Sequence, residues 1–273
     1  MWKSVVTGLW LLSIISVALA KPLILSAPPR ETPEKGAEQY KPIADFLSNL
    51  LHQPVIYQQP NNWLSYQRDM RADKYDIVFD GPHFVAWRIE HLGHNALIKL
   101  PGKLQFYLVS HSNDPDIKTF NDLIGKRICG ILPPNLSTLS ILAHFNNPVR
   151  QPIIHGIKGG MWKVYAAFKQ GKDSAAVFRT TFYNKKLSPK DKQQMTIIYT
   201  SEALTNQAIT TSKRINKAEQ EKIRHGLLET KTGHMALKGI LKRFGGKAKD
   251  FLSANNNEYK GANRLLEGVI FGW

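Results

Sequence analysis

Three short stretches of this chain put a charged side chain where a run of apolar residues gives way to a loop. Lys158 precedes Gly159-Gly160, Arg179 follows Ala175 to Phe178, and Asp80 follows Tyr75 to Phe79 immediately before Gly81-Pro82. In open α/β sheets the ligand-binding loops lie at the C-terminal ends of strands. A lysine or arginine there can pair an anion, the arginine bidentately, and the competing reading is a solvated surface side chain. Asp80 can accept from a ligand hydroxyl or amine, or cap the helix that Pro82 begins.

Catalytic chemistry has little to work with. The chain has no G-x-S-x-G elbow and no Walker loop, and its single cysteine, Cys129, falls within the apolar stretch Ile128-Cys129-Gly130, a predicted buried strand where a thiol packs rather than reacts. One cysteine also excludes an internal disulfide or a cysteine-cluster zinc site. His91 and His94 form the closest histidine pair, but Gly93 and a predicted helix end between them give poor geometry for a metal. No cofactor and no metal are expected.

The elements that must hold these residues begin after a leader. Lys3, the apolar stretch Leu9 to Val17 and Ala18-Leu19-Ala20 have the order of a cleavable signal peptide over residues 1–20, so the mature chain is expected to start at Lys21 and to work in the periplasm. Across 273 residues, 37 Lys+Arg oppose 21 Asp+Glu, and 42% of residues are hydrophobic, which gives a folded protein with an excess of positive charge. That excess lies in the second half. It raises the expectation of an anionic partner without choosing among a small ligand, a membrane surface and a polymer. Nucleic acid is disfavoured by the lack of zinc-finger spacing or an RNA-recognition aromatic motif and by the export leader.

From Leu23 onward, short apolar runs alternate with amphipathic stretches. Leu23 to Ala27, Pro54 to Tyr57 and Tyr75 to Phe79 read as strands. Between them lie predicted helices at Gly36 to Leu51, with Tyr40, Ile43, Phe46, Leu47 and Leu50 on one stripe, and at Trp63 to Arg71. This is a βαβαβ unit with a largely parallel sheet. Asn95 to Lys99 and Leu104 to His111 continue the strands, and a second series follows: strands at Arg127 to Ile131, Pro152 to Ile157 and Ala175 to Phe178, with helices at Leu136 to Phe145 and Met161 to Gln170. Ile197 to Thr200 and Gln207 to Thr210 add strand pieces, and the chain is helical with loops from Asn216.

Residues 28 to 88 resemble the periplasmic phosphate/phosphite/phosphonate-binding proteins of ABC transporters. The similarity lies in the Tyr40-Lys41-Pro42-Ile43 helix start, the Pro-Val opening of the second strand, the aromatic Trp63 opening a short helix, the Met70-Arg71 dipeptide and the run Asp76 to Gly81, with a weaker echo at Phe120 to Lys126. The resemblance implies the type 2 periplasmic binding protein fold, an α/β architecture of two lobes, each a mixed, mainly parallel sheet flanked by helices. Residues 21–105 with 205–273 would form the first lobe and residues 106–204 the second, with the ligand in the cleft between them. It also implies an importer's permease as partner, a small anion as ligand and a monomeric protein.

By the same resemblance, Ser137 and Thr138 stand where relatives use hydroxyls and backbone amides to hold phosphonate oxygens, with ordinary helix capping as the alternative. Trp63 stands where relatives turn an aromatic ring to the ligand, with a core or surface tryptophan as the alternative. Pro28, Tyr40, Pro82 and Asn206 complete the expected ligand-binding set with Asp80, Gly81, Lys158, Gly159, Gly160 and Arg179. The sequence departs from its relatives at Gly159-Gly160-Met161, which lacks their histidine and acid, and at Arg179-Thr180-Thr181 and Thr205-Asn206-Gln207, which lack the acids that receive a ligand amine. Aminoalkylphosphonates are therefore disfavoured. Two alternatives stay open: a sensor or enzyme on the same fold, and a basic protein that binds anionic polymers.

Overall fold

The computed structural model describes residues 21–145, 147 and 149–267. The proposed leader at residues 1–20 lies outside them.

The first sheet grows from the expected βαβαβ unit: β1 (Leu23–Ser26), α1 (Pro33–Leu51), β2 (Val55–Tyr57), α2 (Trp63–Arg71) and β3 (Ile77–Asp80). Strand β1 pairs in parallel with β2 and with β3. Helix α1 starts three residues earlier than its periodicity suggests, because Thr32 caps it and Pro33 fits its first turn. It also runs through Pro42, which removes one amide from the hydrogen-bond ladder. Burial of Tyr40, Ile43, Ala44 and Leu47 against the sheet holds it together past that point.

Helix α3 (Pro82–Leu92) and β4 (Asn95–Lys99) follow, and the chain then crosses to a second body. The apolar run expected as one strand from Leu104 to His111 is divided. Lys103–Leu104 form β5 and Phe106–His111 form β6, because the chain changes sheets at Gln105. The second body then builds β7 (Arg127–Ile131), α4 (Leu136–Leu142), β8 (Ile153–Ile157), α5 (Met161–Phe168), β9 (Ala175–Arg179), the short helices α6 (Thr180–Lys186) and α7 (Pro189–Gln193), and β10 (Met195–Thr200). The return passes through β11 (Leu204–Thr205), which pairs with β5, into β12 (Ala208–Thr211). Helices α8 (Lys217–Glu229) and α9 (Lys231–Phe244) and strand β13 (Leu252–Ser253) finish the first body.

Among the described residues the first sheet has the order β13-β4-β12-β3-β1-β2 and the second β10-β6-β9-β7-β8. Both are mixed, with most strands running one way: β1, β2, β3 and β4 in the first sheet and β7, β8, β9 and β10 in the second. Strand β12 lies between β3 and β4 and runs antiparallel to both. The cause is where the crossovers meet the sheet: the chain leaves at Lys99 and returns at Ala208, which are paired, so the returning strand must run the other way. Entry by β6 and exit by β10 impose the same antiparallel pairing on the second sheet, while β7, β8 and β9 keep the parallel βαβ relation.

Each sheet has its own apolar core. One gathers Ile43, Leu47, Phe79, Leu97 and Ile240; the second sheet packs Leu108, Ile128 and Val177 on one face and Val109, Val164 and Phe178 on the other. A further cluster joins the lobes, where Leu139 of α4 packs with Tyr66, Phe84 and Trp87 of the first lobe.

Candidate functional site

A cleft of about 530 Å³ opens between the lobes. The first lobe supplies Pro29, Arg30, Trp63, Gly81, His83, Phe84, Gln207, Arg243 and Phe244. The second supplies Leu132, Asn135, Lys158, Gly159, Gly160, Met161 and Arg179 with their neighbours. The beginnings of α2, α3, α4, α5 and α6 all contribute, so the space lies beyond the C-terminal ends of β3, β7, β8 and β9, as the strand-end rule requires. At α3 and α5 the capping residues are Gly81 and Gly160, whose lack of a capping side chain leaves first-turn amides without a side-chain acceptor. Gly159 adopts φ +122°, a conformation that favours glycine.

Four cations line this cleft, Arg30, Lys158, Arg179 and Arg243, and no carboxylate does among the described residues. Those of the first lobe are already paired. Arg30 donates to Asp80 at 3.3 Å and to Gln207 Oε1 at 3.1 Å, and Arg243 donates to Glu31 at 2.7 Å. Lys158 and Arg179 have no ion-pair partner among the described residues. Burial lowers the pKa of Arg179 and is the sole influence on it, and its Nε is enclosed without an acceptor. A guanidinium remains charged even so, and lacks a counter-ion.

The expected site residues divide accordingly. Trp63, Gly81, Lys158, Gly159, Gly160 and Arg179 come together around the cleft. Pro28, Tyr40, Asp80, Pro82, Ser137, Thr138 and Asn206 are not on its walls. Pro28 is buried one residue before the lining Pro29. Tyr40 stacks on Tyr57 in the first core, and burial pushes its phenol pKa up. Pro82 forms the first turn of α3.

Asp80 lies beneath the cleft and is saturated. It accepts from Gly81 N at 2.7 Å, Arg88 Nη1 at 2.9 Å, Arg30 and the Tyr66 hydroxyl. Arg88 and Asp80 are 0% exposed. Asp80 therefore fixes the floor and the start of α3.

Ser137 and Thr138 point inward. The Ser137 hydroxyl donates to Asn135 Oδ1 at 2.7 Å and the Thr138 hydroxyl to Ile131 O at 2.6 Å, so α4 is capped by Asn135 and both hydroxyls are consumed. Asn206 braces the returning crossover through Pro101 O at 2.8 Å.

Sequence reasoning missed Arg30, His83, Gln207, Arg243 and Phe244. Arg30 follows Pro28-Pro29 past the end of β1, so the strand-end rule could have found it, and His83 follows the singled-out Gly81-Pro82. The end of α9 carries no local signal for Arg243 and Phe244.

The remaining chemical candidates stand apart. Cys129 is enclosed in β7 with Sγ 3.7 Å from Val164 O, and burial drives its thiol pKa up. His91 meets Glu267 at 2.9 Å, whereas His94 is buried beside Thr210 and Asp73, so the two rings do not converge on one point.

The sequence profile of a family described as "ABC transporter, phosphonate, periplasmic substrate-binding protein" matches residues 25–259. Comparison with curated protein sequences finds no match. Among solved structures, a Xanthomonas citri protein bound to ATP is similar at a TM-score of 0.68 with 14% identity, over 89% of this chain and 95% of that one. PhnD1 of Prochlorococcus marinus, in complex with methylphosphonate, gives 0.61 with 16% identity over 90% and 97%. A binding-protein component of an ABC phosphonate transporter from Pseudomonas aeruginosa gives 0.57 with 12% identity over 90% and 85%. These likenesses establish the two-lobed type 2 periplasmic binding protein fold. Because the profile runs from β1 to the turn after β13, this chain belongs to the periplasmic phosphonate substrate-binding proteins of ABC transporters, which capture an anionic solute for a membrane permease.

Proposed function

We propose that the cleft captures a small tetrahedral oxyanion of the phosphonate or phosphate class between Lys158 and Arg179 of the second lobe and the start of α3 in the first. The observation that carries this reading is the pair of cations without counter-ions, in a cleft whose described lining contains no carboxylate. An anion gains a bidentate partner at Arg179, a second charge at Lys158 and backbone donors at Gly159 and Gly160. The lack of an acid on the walls directs the site away from ligands carrying an amine.

In this reading residues 21–105 with 205–273 move as one lobe and 106–204 as the other, about the β5–β11 pair. A ligand held by both walls favours the closed arrangement, since that arrangement alone gives it both sets of contacts. The leader is removed after Ala20, and the mature chain acts as a periplasmic monomer that meets an inner-membrane permease, without catalysis and without nucleic acid.

A nucleotide is the second reading. One relative is solved with ATP, and in this cleft the half-buried rings of Trp63, which stacks on the buried Phe84, and of Phe244 are the aromatic surfaces a base could meet.

A thermal-unfolding screen with phosphate, phosphite, methylphosphonate, sulfate and ATP tests both. Ligand at one hundred times its Kd adds about 2.7 kcal/mol of stability. A shift with small phosphorus oxyanions supports the first reading and a shift with ATP alone the second. No shift with any of them overturns both.

A further inference from the structure

His83 is a buried polar group for which the oxyanion reading has so far found no use. It sits in the first turn of α3, lines the cleft and is 2% exposed. Its Nε2 lies 3.1 Å from the carbonyl oxygen of Pro134, across the lobe boundary. A carbonyl oxygen accepts and does not donate, so Nε2 must carry a proton. Burial pushes the pKa of the ring down to about 3, and the neighbouring charges of Arg30 and Arg88 act in the same direction. The ring is therefore neutral, and Nδ1 is a bare lone-pair acceptor.

That acceptor has no hydrogen-bond partner among the described residues. It lies over Gly81: a Cβ placed on that glycine would be 3.0 Å from Nδ1 and 3.7 Å from Arg30 Nη2. Both neighbours line the cleft, so an acceptor and a cationic donor converge on one patch of its wall. The side-chain oxygens of the lining are occupied. Asn135 Oδ1 accepts from Ser137, and Gln207 Oε1 accepts from Arg30. Lys158, Arg179 and Arg243 only donate.

We propose that Nδ1 of His83 accepts a hydrogen bond from a protonated oxygen of the ligand, which makes the cleft selective for tetrahedral oxyanions that retain an acid proton over those that have none. The inference rests on the oxyanion reading and sharpens it. A lone pair facing P–O–H attracts, while the same lone pair facing a fully deprotonated oxyanion repels and stays desolvated without a partner. Sites built to bond a hydroxyl reject analogues that lack it far more strongly than apolar pockets reject a missing methylene.

Two matched pairs of probes test this by titration calorimetry near neutral pH: methylphosphonate against methanesulfonate, and phosphate against sulfate. The members of each pair share shape and differ in the acid proton. In the wild-type protein the phosphorus member is expected to bind about 100-fold more tightly or better. In His83→Phe, which removes the acceptor, the gap is expected to close to within about tenfold. Equal binding within both pairs, or a wild-type gap that survives in His83→Phe, overturns the role of His83 and leaves the anion site intact. If neither member of either pair binds, the oxyanion reading itself falls, and the inference with it. The wild-type comparison does not depend on the variant folding.

Discussion

The two walls of the cleft carry the same number of cations and are built on opposite principles. In the first lobe Arg30 is tied to Asp80 and Gln207, Arg243 to Glu31, and below them Arg88 and Tyr66 complete a buried network around Asp80. In the second lobe Lys158 and Arg179 face the same space without a carboxylate among the described residues. On one wall every cation already has a carboxylate partner before a ligand arrives, Arg30 and Arg88 sharing Asp80; on the other neither cation has one among the described residues. The difference teaches that counting basic residues does not locate an anion site. What matters is which of them still lack a counter-charge, since desolvating an unpaired cation costs free energy that a bound anion returns.

The sharpest way to break this comparison is to damage the complete wall. Asp80→Ala leaves Arg88 buried without its partner and is expected to cost about 3 to 5 kcal/mol of folding free energy in urea denaturation. A loss below about 1 kcal/mol would show that the network is not what fixes the first wall.

Acid gives the next largest effect. His83 and His94, both in the first lobe, have pKa values lowered by burial to about 3 and about 2. The groups facing them are Arg30, Arg88 and Pro134 O around His83, and Arg88, Arg214, Asp73 and Thr210 around His94. Their folded pKa values lie below the unfolded value of about 6.5, so the unfolded chain binds more protons as pH falls, and stability present above that value is lost on acidification. Between about pH 6 and pH 5 the two rings together should remove about 2 to 3 kcal/mol. A flat stability profile across that interval contradicts their buried, neutral state.

Smaller effects sharpen the contrast between paired and unpaired cations. Lys158→Ala is expected to weaken oxyanion binding by about three- to tenfold, more at low salt than at high, with little change in unfolding midpoint. Glu31→Gln frees Arg243 and should change stability by no more than about 1 kcal/mol while raising oxyanion affinity slightly, both readable from one ligand-dependent melting series. An affinity loss in Glu31→Gln would mean that Arg243 acts through its pair and not as a masked charge.

Much of the fold was legible because its signals are local. Helix α2 and strands β4 and β7 fall on the stretches that periodicity and turn residues mark, and the resemblance carried in residues 28 to 88 led to the right family. Less legible was anything set by a distant partner. The insertion of β12 between β3 and β4 depends on residues more than a hundred positions downstream, and it is what makes the sheet mixed.

The site followed the same division. The place of Lys158, the two glycines after it and Arg179 on the cleft wall was legible from their position at strand ends. Asp80 stood at such a position too, but Arg30 and Arg88 claim it from elsewhere in the fold. Ser137 and Thr138 have the residue types of an oxyanion cradle, yet Asn135 caps α4 and the turn carries both hydroxyls inward. Residue type alone does not say which way a side chain faces.

The central claim, that the second lobe holds a cation awaiting an anion, is tested most directly by measuring methylphosphonate affinity and thermal unfolding together in the wild-type protein and in Arg179→Met. The account predicts a ligand-free variant that unfolds at the same temperature or higher, because a half-buried unpaired charge has been removed, and that binds about 10- to 100-fold more weakly. A variant that binds as tightly as the wild type, or that loses stability as a broken ion pair would, contradicts it.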